Sequence, residues 1–185
     1  KKIELKKNNL KIIHHKKNLG KCKAMLTGVK NAKKNNICII DGDGQNPPYE
    51  AKKLMNFWLN INKPEKRFAL VCGNRIKRQD SMSKKISSKV ANKIRKILLD
   101  DDCNDTACAL KVFSKDDYLK LKYFRNMHRF LPALFKINSG KIFNVPVDDR
   151  KRTKGISKYS FHNRFWIGIL DLINVWLMVL KRRKK

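Results

Sequence analysis

Two carboxylates, Asp41 and Asp43, stand one glycine apart in the stretch IIDGDGQNPP (residues 39–48), where an apolar run ends. Two carboxylates on a tight turn can hold a hard divalent cation, which keeps several waters while also binding the phosphate oxygens of a substrate. Gly42 and Gly44 let the backbone come close to a ligand, and Gln45 adds a neutral oxygen. The same letters also make a plain solvated turn, since Asp-Gly is common turn chemistry. An EF-hand is excluded, because its sixth position would be Gly and is Asn46, and its twelfth would be Glu and is Lys52. No Walker A or G-x-G-x-x-G pattern is present.

Two basic clusters lie downstream. GNRIKRQDS (residues 73–81) carries Arg75, Arg78 and Ser81 just after an apolar run. DDRKRTKGISKY (residues 148–159) sets Arg150, Arg152, Lys154 and Lys158 around Gly155 and Ser157, which suits a loop that folds over a diphosphate. Both also read as solvated basic loops, because the whole chain is basic: 45 Lys and Arg against 15 Asp and Glu give a net charge of +30. That balance points toward polyanions, meaning nucleic acid, anionic lipid or phosphate-bearing substrates. A general richness in Lys, Asn and Ile offers a compositional explanation of the same excess. No nucleic-acid-reading motif is present and the aromatics lie mostly in apolar runs, so no nucleic-acid partner is expected. The five cysteines form no C-x-x-C pair; Cys38 and Cys72 read as buried small hydrophobes, and Cys103 and Cys108 lack the companions a metal set needs. A reducing compartment fits.

The elements that must position these groups alternate between short apolar runs and helical stretches. LKII (Leu10–Ile13), ICII (Ile37–Ile40), FALVCG (Phe68–Gly73), ALKVF (Ala109–Phe113) and KIFNVPV (Lys141–Val147) read as strands, ICII as a central parallel one. Lys21–Ala32 has Ala24, Met25, Val29 and Ala32 at helical spacing. Asn46-Pro47 offers an N-cap and first turn for a helix over Tyr49–Leu59. Ser83–Leu99 is a long helix with Ile86, Val90, Ile94, Ile97 and Leu98 on one face, and shorter helices fall at Asp116–Leu121 and Phe130–Ile137. The pattern predicts an α/β fold, a mostly parallel sheet with helices on both faces. In such sheets ligands bind beyond the carboxyl ends of the strands, where Asp41 and Arg75 stand. The last apolar segment, Phe165–Leu180, contains Asp171 and Asn174, is short for a membrane span, and runs into Lys181–Lys185. It reads as an amphipathic helix on the cytoplasmic membrane surface, with packing on the domain or on a partner as the alternative.

Six stretches occur in an order that resembles the family 2 glycosyltransferases of GT-A (Rossmann-like) fold, specifically the polyprenyl-phosphate sugar transferases. They are N-L-G-K-C-K-A (Asn18–Ala24), I-D-G-D-G-Q-N-P-P (Ile40–Pro48), C-G-N-R-I-K-R-Q-D-S (Cys72–Ser81), D-T-A-C-A-L-K (Asp105–Lys111), H-R-F-L-P-A-L (His128–Leu134) and V-P-V-D-D-R-K-R-T-K-G-I-S-K-Y (Val145–Tyr159). The resemblance implies an inverting hexosyl transfer from a nucleotide-sugar donor to a polyprenyl-phosphate acceptor, at the cytoplasmic face of the membrane, in cell-envelope biogenesis. A hydroxyl acceptor in envelope polysaccharide synthesis and a non-catalytic basic fragment are the other readings.

By the same resemblance Asp41 and Asp43, with Gln45, hold Mg²⁺ or Mn²⁺ on the donor diphosphate. Arg75, Arg78 and Ser81 receive the acceptor phosphate, and Arg150, Arg152, Ser157 and Lys158 close on the diphosphate. Asn18 and Gly20 lie near the nucleotide and Asp105 near the sugar. A phosphate acceptor needs no base, whereas a hydroxyl acceptor does, with Asp105 as the candidate base and a turn or helix-capping role as its alternative. Ala107 and Asp149 stand where the family often has Gly and His. The family also opens with a strand, an N-E pair and a D-D-G-S turn that are absent here, so the chain reads as N-terminally truncated. The expected organisation is a partial GT-A domain over residues 1–160 and a membrane-surface helix with a basic tail over 161–185.

Overall fold

The computed structural model describes residues 10–61, 63–76, 93–150 and 161–183. Four strands form one sheet in the order β1-β3-β2-β4: β1 (Asn36–Ile39), β2 (Leu70–Arg75), β3 (Lys111–Ser114) and β4 (Ile142–Val147). β2 and β4 pair in parallel, while β3 runs antiparallel to both β1 and β2. Three strands therefore point one way and β3 alone is reversed, which bears out the α/β fold with helices on both faces. The reversal brings the start of β3 to the same sheet edge as the ends of β1, β2 and β4.

Period-2 alternation along the strands splits the core into two layers. Leu70, Cys72 and Phe113 face one way, toward α1 (Lys21–Asn31), α4 (Lys115–Lys120) and α5 (Leu131–Ile137). Ala69, Val71 and Val112 face the other, toward Leu54 and Trp58 of α2 (Pro48–Asn60). Trp58 is buried against β2 and β3, and its indole N–H still finds a partner in Asn36 Oδ1 at 2.9 Å. Burying each such large side chain contributes roughly 1.5–3 kcal/mol. A third cluster seats α6 (Phe161–Arg183) through Val175 and Val179 on Phe130, Ala133 and Leu99, the last residue of a helical stretch, α3, over residues 93–99.

Several sequence expectations need correcting. LKII (Leu10–Ile13) is not a strand: Leu10, Ile12 and Ile13 are exposed, and four apolar letters without a ladder partner do not make one. ICII does form β1, but with β3 as its partner in this sheet it is an edge strand and only half-buried. The cap of α2 falls one residue later than expected, with Pro47 in place of Asn46 at the cap and Pro48 in place of Pro47 at the first helical position. In α1 the inward face is Cys22, Met25, Leu26 and Val29, and Ala24 points to solvent. In α3 Ile94 and Ile97 are exposed while Arg95 is buried, the reverse of the apolar stripe, because Arg95 carries its own ion-pair partner inward. The rest of the helix expected from the sequence, residues 83–92, lies outside the described residues.

Candidate active site

The aspartate turn leaves β1 at Ile39 and reaches α2 at Pro48. Gly44 takes φ 78°, a left-handed conformation that glycine adopts without strain, and this closes the turn. Asp43 Oδ1 accepts the Gln45 amide at 3.1 Å, so the carboxylate caps its own turn. Asp41 is half-exposed and pairs with the Lys21 ammonium at 2.7 Å. Lys21 opens α1 just after Gly20, the N-cap at φ 80°, whose amide is held by Asn18 Oδ1 at 2.9 Å. The predicted donor residues Asn18 and Gly20 thus lie beside the aspartate turn, connected to it through Lys21.

At the other end of the turn the main chain of Arg150 donates to Gln45 O at 2.9 Å. The Arg150 guanidinium lies 5.8 Å from the centre of the Tyr49 ring, in the first turn of α2. Glu50, 3 % exposed, accepts the Asp148 amide at 3.0 Å and fixes the chain as it leaves β4. Arg150 itself is therefore held against the aspartate turn.

Arg75, the last residue of β2, is brought together with Asp105. Its Nε donates to Asp105 Oδ2 at 2.6 Å and its Nη2 to Oδ1 at 3.1 Å, a two-pronged pair of the kind that orients a guanidinium. Asp149 approaches the third nitrogen at 3.7 Å. All three side chains are nearly buried. Burial pulls the Arg75 pKa down, but the Asp105 hydrogen bonds and charge, with Asp149, outweigh it and leave the guanidinium more firmly protonated than usual.

Pattern reading assigned no role to three further groups: His128, Cys22 and Lys111. His128 Nδ1 lies 3.0 Å from Cys22 Sγ, and the His128 amide donates to the same sulfur. Burial, with the nearby charges of Lys21, Arg129 and Lys111, pushes the imidazole down to about 4. Lys111 is buried at the start of β3 and donates to the carbonyls of Thr106 and Cys108. Lys21, Lys111 and His128 all fall within the quoted family stretches, but nothing in one dimension marks their side chains as neighbours. Arg78, Ser81, Arg152, Ser157 and Lys158 lie outside the described residues.

The donor set suits one kind of cation. Among the described residues no group of three or more His, Cys, Asp or Glu side chains gathers around a metal position. Asp41 and Asp43 with Gln45 fit an ion that completes its shell with water and substrate phosphate, as Mg²⁺ does, and not one caged wholly by protein. The Lys21 ammonium balances Asp41, so that pairing would have to rearrange for a divalent ion to be held there. All five cysteines are free, and Cys103 and Cys108 are packed into the core as small apolar groups.

Four segments thus meet at one edge of the sheet: the turn after β1, the end of β2, the loop before β3 and the exit of β4. An α/β sheet with carboxylates and guanidinium groups at its carboxyl edge has the makings of a phosphate-handling enzyme. Residues 1–132 match Glycosyl transferase family 2, and the chain belongs to that family of glycosyltransferases. It is 31% identical over 170 residues to the dodecaprenyl-phosphate galacturonate synthase of Rhizobium johnstonii, an alignment that takes in 90% of this chain. The chain spans about half (48%) of the length of that curated relative.

Proposed function

We propose that this chain carries the catalytic centre of a glycosyltransferase that moves a sugar from a nucleotide-sugar to a polyprenyl phosphate at the cytoplasmic face of a membrane. The observation that carries the reading is the meeting of the aspartate turn and the Arg75–Asp105–Asp149 cluster at one sheet edge. The first suits a diphosphate donor; in the second Arg75 is already paired with two carboxylates, so on this reading an anionic acceptor also needs the positive charge of Arg78, three residues further along the chain.

On this reading Asp41, Asp43 and Gln45 hold Mg²⁺ or Mn²⁺, which when bound offsets negative charge on the departing nucleoside diphosphate. Gly44 sets the turn, Asn18 and Gly20 border the nucleotide, and Arg150, with Arg152, Ser157 and Lys158, closes over the diphosphate. Arg75, with Arg78 and Ser81, takes the acceptor phosphate. The acceptor, with a second pKa of about 6, is already an anionic nucleophile at neutral pH, so attack on the face opposite the leaving group inverts the anomeric centre without a base. Both Asp105 oxygens already accept from Arg75. That pairing favours Asp105 as the group that aims Arg75, and it speaks against the hydroxyl-acceptor reading, in which Asp105 must take a proton.

The membrane assignment is supported by α6. No helix among the described residues is long and apolar enough to cross a membrane. Leu170, Ile173 and Leu177 nevertheless form an exposed apolar stripe on the side away from Val175 and Val179, and Lys181 and Arg182 follow. A stripe of this kind beside basic residues is the makeup of a helix lying in an anionic lipid surface.

The test is calorimetric. UDP, GDP and TDP are titrated into the full-length protein with Mn²⁺ and with EDTA, and the titration is repeated for Asp43→Ala. The reading expects binding of at least one nucleoside diphosphate that requires both Mn²⁺ and Asp43. Binding indifferent to both would refute the assigned role of the aspartate turn.

A further inference from the structure

We propose that Arg95 is a positioning residue for Asp105, acting as a buried clamp on the loop that delivers it; this rests on the function proposed above. Arg95 lies on α3 and is 6% exposed. Its Nε meets Asp101 Oδ2 at 2.8 Å, its Nη2 donates to Cys103 O at 2.6 Å, and its Nη1 donates to Thr106 Oγ1. One guanidinium therefore reaches three points along the loop 101–106, the last of them adjacent to Asp105. Lys111 holds the far side through the Thr106 and Cys108 carbonyls. From β4, Asn144 donates to Asp102 O at 2.8 Å and accepts the Asn104 amide at 2.9 Å.

Residues 101–110 form neither helix nor strand, so these side chains replace the ladder that would otherwise fix the backbone. Asp100 and Asp102 hold φ values of 47° and 51°, costly for non-glycine residues and tolerated only where surrounding contacts impose them. Asp101, fully buried between them, has Oδ1 on the Cys103 amide and Oδ2 on Arg95. A buried ion pair is an inefficient way to stabilise a core, since apolar residues of similar volume often do as well. What the forked guanidinium offers beyond stability is geometry, and the group whose geometry it governs is Asp105, set against Arg75. A displacement of about 1 Å at such a group can cost on the order of 10²-fold in rate.

The experiment compares Arg95→Lys, Asp105→Asn and the double variant in the full-length protein. Lysine keeps the charge but lacks the planar fork. Two readouts are taken: steady-state sugar transfer, and the rate at which Cys103 and Cys108, both buried, react with a small disulfide reagent. The clamp predicts that Arg95→Lys lowers kcat by about 10²-fold with little change in the donor KM. It also predicts that the double variant is no slower than Asp105→Asn alone, and that both thiols react at least about tenfold faster. Unchanged kcat in Arg95→Lys, losses that multiply in the double variant, or thiols that stay protected would each overturn the proposal. Should Arg95→Lys fail to fold, Thr106→Val removes one acceptor of the clamp and is held to the same outcomes. If wild-type protein transfers no sugar, the proposed function fails, and thiol labelling still decides the clamp.

Discussion

The pH dependence of stability offers a test that needs no substrate. His128 is packed against Cys22 with Nδ1 3.0 Å from the sulfur, and burial, with Lys21, Arg129 and Lys111, pushes its pKa down to about 4. An unfolded histidine titrates near 6.5. On acidification the unfolded chain takes up this proton first, so the contribution of neutral His128 is fully present above about pH 6.5 and is lost as pH falls toward 4. Between pH 7.5 and 5.0 the linkage amounts to about 2 kcal/mol, reduced to about 1–2 kcal/mol because the ring is not wholly buried. Urea unfolding of the wild type and of His128→Asn at pH 7.5, 6.5, 5.5 and 5.0 isolates the term, because all other groups cancel in the comparison. The wild type is expected to lose about 1–2 kcal/mol more than the variant over that range. Parallel curves for the two proteins would refute the placement of His128 as a neutral, enclosed imidazole.

Three further perturbations follow from the geometry. Arg75→Met leaves Asp105 and Asp149 buried without their shared cation and should cost about 3–5 kcal/mol at pH 7.5 in urea unfolding. Partial rescue is expected from Asp105→Asn in the same chain, which removes one of the two buried charges. Leu177→Glu, on the exposed stripe of α6, should leave stability within about 0.5 kcal/mol. It should also weaken co-sedimentation with phosphatidylglycerol vesicles several-fold. Gly140→Ala would place a Cβ 2.0 Å from Phe68 O and 2.7 Å from Phe135 O, so the backbone between α5 and β4 must shift. A loss of about 3 kcal/mol is expected, measured by the same unfolding assay.

Much of the fold was legible because burial leaves a periodic trace. β2, β3 and β4 fall on the apolar runs expected of them, and α1, α2, α4, α5 and α6 lie where the helical spacing or the apolar run places them. Direction is not written in such runs: the reversal of β3 depends on pairing partners far away in the chain, such as Cys38 with Val112. LKII failed as a strand for the same reason, since apolar letters specify a preference and only a neighbouring ladder realises it. Asp41 and Asp43 were legible as a turn because Gly44 and the two prolines constrain the backbone locally. The meeting of Arg75 with Asp105 was not, because two residues each read as facing a ligand turned out to face each other. Arg95 was hidden more deeply, since a basic letter on an apolar helix reads as solvent-exposed unless its acidic partner across the turn is known.

Sugar transfer onto a lipid phosphate is tested most directly by following the transfer itself. Full-length protein in detergent is incubated with a panel of radiolabelled nucleotide-sugars, polyprenyl phosphate and Mn²⁺, and label is followed into the organic phase. A mild-acid-labile lipid product is expected from at least one donor, absent with EDTA and absent in Asp43→Ala. No lipid-phase label from any donor, or product formed equally well by Asp43→Ala, would contradict the proposed function.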